Sequence, residues 1–185
     1  VRSPLFSNWN DLSEYLQKKH AGKKIAVVCN SLIHDVYSYG CFVSIDCFWK
    51  DIFSDVFDYV IIRDMMLSES ATRHSDDLSV TNIRRVADKR QLNQFEEKWG
   101  SITDNKTMIH YIMKYRYEKN WEREVNENYL PLSYEAMLKI IPADYKIIFS
   151  DHFVLPFMRT DALQKFDVYL QDRTHAKFIL KRNNI

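Results

Sequence analysis

Glycine is scarce in this chain: there are three in 185 residues, Gly22, Gly40 and Gly100. The scarcity excludes the glycine-built phosphate cradles. Neither G-x-G-x-x-G nor G-x-x-x-x-G-K-[ST] occurs, so no ordinary dinucleotide turn or P-loop is encoded. Cysteine is equally rare. Cys29, Cys41 and Cys47 form no C-x-x-C, which gives no disulfide framework and no zinc knuckle. Free thiols fit a reducing, cytoplasmic compartment. No uninterrupted apolar run approaches the roughly 18 residues of a membrane span, and no signal-peptide pattern is visible. Net charge is also lacking, at +1, so bulk charge implies neither nucleic acid nor an anionic membrane as partner.

Hydrophobic residues make up 46% and charged residues 28% of the chain, a balance that fits one globular domain. Residues 8–20 carry Trp9, Leu12, Tyr15 and Leu16 at helical spacing, with Asn10 as candidate N-cap and Gly22 as the stop. Lys24–Cys29 (KIAVVC) is a continuous β-branched run, which predicts a strand buried on both faces. NSLIHDVYSYG follows, then a short helix within 41–55, then a second buried strand, Phe57–Ile62, ending in Arg63 and Asp64. Residues 75–130 show helical spacing and no strand signal, with one continuous helix expected over Thr107–Arg123. Ser133 caps a helix that Pro142 ends. Tyr145–Leu155 predicts a third strand, Pro156–Leu170 a loop with a short helix, and Ala176–Lys181 a last strand.

Element order and four stretches, NSLIHDVYSYG, FDYVIIRDMM, KYRYEKNWEREVNENYLPLS and DHFVLPF, carry a resemblance. The chain resembles the C-terminal half of class I, Rossmann-like S-adenosylmethionine-dependent methyltransferases of bacterial and phage type. The resemblance implies an α/β fold. The four strands would be the fourth to seventh of a seven-stranded sheet, the last two antiparallel, with residues 75–130 as a helical insertion over the sheet. It also implies S-adenosylmethionine as cofactor and a small-molecule or RNA methyl acceptor. The glycine-rich turn and the acidic residue that hold this cofactor in the family belong to the first two strands, which have no counterpart here. The chain begins at Val1 rather than Met, and the expectation is a fragment, a split subunit or an inactive relative that supplies substrate-side groups.

Ligands of open α/β sheets bind beyond the carboxyl ends of the strands. Asn30, Ser31, His34 and Asp35 follow the first strand, and Arg63 and Asp64 follow the second. His34 with Asp35 is the candidate acid–base pair, since an imidazole titrates near neutrality; the competing reading is a helix cap. Asn30 and Ser31 would border the cofactor. Tyr37, Tyr39, Arg63, Asp64, Arg116 and Trp121 are candidate substrate contacts. Tyr37 and Tyr39 could stack on a planar substrate, but packing against the inserted helices is the better reading of the two, and Tyr117 and Trp121 would share one helix face at i,i+4. The histidines show no metal-ligand spacing, and no metal is expected. Ser31, His34 and Asp64 can be drawn as an acyl-transfer triad, but no G-x-S-x-G elbow is present. Arg84, Arg85, Lys89 and Arg90 form the most basic cluster, flanked by Asp76, Asp77 and Asp88, as on a solvated helix face. The alternatives to methyl transfer are a protein-interaction module and an RNA-associated factor. A half sheet leaves the Lys24–Cys29 strand as an edge for a partner chain or a second copy.

Overall fold

The computed structural model describes residues 4–183. Helix α1 (Trp9–Lys19) precedes strand β1 (Ala26–Asn30). Its N-cap is Asn8 rather than Asn10: the Asn8 side chain accepts from the Asp11 amide at 2.9 Å. Gly22 makes the turn toward β1 with φ +74°, a conformation that costs other residues more. Helices α2 (Ile33–Tyr39) and α3 (Phe42–Ile52) lead to β2 (Tyr59–Met65). Helices α4 (Asp77–Val86), α5 (Lys89–Trp99), α6 (Asn105–Lys114), α7 (Trp121–Glu124) and α8 (Tyr134–Ile140) follow, then β3 (Tyr145–Phe153), α9 (Pro156–Phe166) and β4 (His175–Arg182). The fold is mixed α/β, with one four-stranded mixed sheet among the described residues.

Strand order is β1-β2-β4-β3. β1 and β2 are parallel, while β4 runs antiparallel to both neighbours. The last two strands in sequence therefore form the expected antiparallel pair, and the last strand lies between β2 and β3. β1 is an edge strand. Ser31 donates its amide to the Arg63 carbonyl at 2.8 Å, which sets odd-numbered residues of β1 toward β2. The amides and carbonyls of Ala26, Val28 and Asn30 point away from the sheet.

The sheet's two faces differ. Val60 and Ile62 of β2 and Phe178 and Leu180 of β4 are wholly buried under Ile33, Ile52 and Met137 of α2, α3 and α8. A fully buried Ile or Phe contributes about 1.5–3 kcal/mol. On the other face, register aligns Val28, Ile61, Ile179 and Phe149 in one row across four strands. Val28 is 61% exposed and Phe149 48%. The expectation that the first strand is buried on both faces is therefore corrected: its run is apolar throughout, yet only Cys29 is buried.

A second core lies in the helical part. Ile83, Phe95, Ile109 and Tyr111 of α4, α5 and α6 pack with Phe166 of α9. Residues 156–170, read as a loop with a short helix, hold an 11-residue helix with Pro156 at its first turn, where a missing N–H costs nothing. The continuous helix expected over Thr107–Arg123 breaks after Lys114. Lys114 is fully buried, and its ammonium donates to the carbonyls of Glu124 and Glu127 and lies over the Tyr129 ring. The chain folds back to bring those acceptors to it, so Tyr117 and Trp121 do not share a helix face. No helix among the described residues is long and apolar enough to cross a membrane.

Candidate active site at the carboxyl ends of β1 and β2

Two positions in β2 do opposite work. Arg63 and Asp64 lie inside the strand rather than beyond it, and alternation sends them to opposite faces. Asp64 points to the covered face and is buried. Its carboxylate accepts from the Ile33 amide at 2.7 Å, from the Met65 amide at 2.8 Å and from His34 Nδ1 at 2.9 Å. A carboxylate with its lone pairs filled this way is tolerated in a core. It also fixes the tautomer: an ionised carboxylate only accepts, so Nδ1 carries the proton and Nε2 is left as acceptor or second donor.

His34 sits in the first turn of α2, buried, with its ring edge-on to Tyr129 at 5.4 Å. Burial alone presses the imidazole's pKa down. The hydrogen bond to Asp64 and the charges of Asp64, Asp35 and Glu127 outweigh it, and the net displacement is upward. The expected partner, Asp35, lies 3.7 Å from Nε2 and is half-buried; Asp64 supplies the hydrogen bond instead.

The turn between β1 and α2 carries backbone strain. Ser31 has φ +52°, in the left-handed region that a serine seldom adopts. Two bonds hold it there: its amide donates to the Arg63 carbonyl, and Arg63 Nη1 donates to its Oγ at 2.8 Å.

Ser31, His34, Arg63 and Arg116 line one cavity of about 610 Å³, together with Tyr115, Tyr117, Tyr129, Phe157 and His175. The volume suits a small-molecule ligand. Asn30 lies exposed on the open face, next to Arg63 in register. Tyr37, Tyr39 and Trp121 lie outside the cavity. Tyr37 accepts a bond from Trp49 Nε1 at 3.0 Å, Tyr39 donates to Glu127 at 2.7 Å, and Trp121 donates to Gln94 at 2.8 Å. Arg116 pairs with Asp161 across the cavity wall.

The helical part docks on α2 through residues 123–129. Glu127 accepts from Tyr39 and from Arg123 Nε, both at 2.7 Å, and the Asn128 amide donates to Ser38 Oγ at 2.7 Å. The glutamates and aromatics of this stretch therefore shape the site, although helical periodicity alone did not single them out. Burial raises the Glu127 carboxyl, but Tyr39 and Arg123 more than compensate and hold it below its usual range. A ring nitrogen of His34 and carboxylate oxygens of Asp35 and Glu127 lie within 4.8 Å of one another, a donor set of the kind that ligates metals. Arg123 already offsets part of the charge of this trio, at 2.7 Å from Glu127 and 4.0 Å from Asp35. Cys29 offers no nucleophile: burial first, and the charge of Asp64 second, push its thiol up to about 11. The basic cluster on α4 and α5 is partly paired, Arg84 to Glu96 and Arg90 to Glu122.

In comparisons with protein-family models, with curated proteins and with solved structures, nothing matches.

Proposed function

We propose that this chain forms the acceptor side of an S-adenosylmethionine-dependent methyl-transfer site, in a cytoplasmic protein, with His34 as general base. The observation that carries this reading is His34, bonded to the buried Asp64 and lining the cavity beyond β1 and β2. When bound, the cofactor supplies an electrophilic methyl group. The part of this chain is proton management. Nε2 of neutral His34 takes the proton of an acceptor hydroxyl or amine, and Asp64 stabilises the imidazolium that results.

The fit of the cofactor to these residues is one-sided. Asn30 and Ser31 would border it at the end of β1, where the Asn30 side chain is exposed on the open face. No glycine turn is available to hold its polar ends. The grip would come from polypeptide laid over the open face. Calorimetric titration of the full gene product with S-adenosylmethionine tests the reading: saturable binding is expected, and its absence overturns it. His34→Gln should then lower turnover by about 10²–10⁴-fold with little change in KM.

One observation favours a second reading, an interaction module on the same sheet: the apolar row on the open face continues to an edge strand with free backbone groups. Light scattering during size exclusion separates the two readings. A clean monomer with no partner counts against the module.

A further inference from the structure

We propose that the cavity takes a planar aromatic carboxylate, its anionic end on Arg63 and its ring against the tyrosine wall. This names the acceptor class for the methyl-transfer reading, an aromatic acid that also carries the hydroxyl or amine His34 would deprotonate, and rests on that reading only for the word acceptor.

The cavity holds two guanidinium groups in different states. Arg116 is paired with Asp161. Arg63 makes one side-chain hydrogen bond, to the neutral Ser31 Oγ, and among the described residues no carboxylate lies within 4.0 Å of it. A half-buried guanidinium with most of its donors unused calls for an anion, and its planar fork matches a carboxylate with two parallel bonds. Ser31 aims that fork, and the two atoms that hold Arg63 to Ser31 also hold Ser31 at positive φ. Strain retained where a ligand is gripped is a recurrent device. Of the two histidines lining the cavity, His34 is already engaged by Asp64, and His175 does not compete for the anion at neutral pH, because burial first and Arg63 second push it down to about 4.

The rest of the cavity is suited to a ring rather than a second charge. Tyr115, Tyr117, Tyr129 and Phe157 line it with aromatic surface, together with Met65 and Met113. A phosphate would be met by one unpaired cation where its charge calls for more, and a plain short carboxylate would leave the aromatic surface unused.

The probes are benzoate, acetate and inorganic phosphate, titrated without cofactor and followed by amide chemical shifts of the labelled protein. Benzoate should bind saturably and at least tenfold more tightly than acetate or phosphate, moving the amides of Ser31 and Arg63. Arg63→Gln should weaken benzoate on the order of 10- to 100-fold. Arg63→Lys, which keeps the charge and loses the fork, should fall between. Equal binding by Arg63→Gln overturns the proposal, as does a preference for phosphate. Should Arg63→Gln not fold, Arg63→Lys carries the test, and unchanged benzoate binding there overturns it. Failure of benzoate to bind overturns the proposal and leaves the His34–Asp64 base standing. Loss of methyl transfer in a protein that binds benzoate sinks the catalytic reading alone.

Discussion

One residue of register separates the two faces of the sheet. Ile62 and Phe178 are paired neighbours on the covered face and wholly buried. Ile61 and Ile179, one step away in the same strands, lie in the uncovered row with Val28 and Phe149. The two paired positions are alike in apolar character; what differs is what lies on top. Three helices close one face, and the other keeps an apolar row beside Lys177 and Lys181. The covered face accounts for stability, and it also holds Asp64. The open face holds Arg63 and the approach to the cavity. β2 thus divides structural from ligand-directed work between alternate residues.

The comparison is sharpest where burial differs most. Phe178→Ala should cost about 3–5 kcal/mol in urea unfolding, whereas Ile179→Ala, one position along, should cost about 1 kcal/mol. Equal losses would mean that the open face is covered in solution. Next in size is Asp64→Asn, expected to cost about 2–3 kcal/mol because one acceptor oxygen becomes a donor facing a buried amide or imidazole. An unchanged urea midpoint would remove the pair from the structural account.

A smaller effect is the dependence on pH. The folded-state pKa of His34 lies above its ordinary 6.5. Its stabilising contribution is therefore fully present below about pH 6.5 and is lost as pH rises through the folded value. Urea midpoints should fall across that window, and Asp64→Asn should flatten the fall; the same slope in both proteins would assign it to another group. The smallest effect is expected at Val28→Thr, within about 0.5 kcal/mol. A larger loss there would show that the exposed edge is a core in disguise.

Much of the sheet was legible because β-branched runs identify strands wherever they lie. The open face was not, since an apolar strand reads alike whether covered on one side or two. Arg63 and Asp64 read as residues past the strand because polarity ends the apolar run at Ile62, although period-two alternation continues through Met65. At the site, the position of His34 after β1 was readable from the rule on strand ends, but its partner was not. Asp64 is 30 residues away and competes in sequence with the adjacent Asp35. The break after Lys114 left no local signal, because its cause is an ammonium that needs carbonyls 10 and 13 residues on.

Those separations also set an order of assembly. The hydrogen bond between His34 and Asp64 spans 30 residues, and the one between Tyr39 and Glu127 spans 88. Loop-closure entropy grows with the length enclosed, so the shorter link forms at lower cost. The His34–Asp64 bond should therefore form before the wall of its cavity docks, and refolding should restore that bond ahead of any ligand affinity.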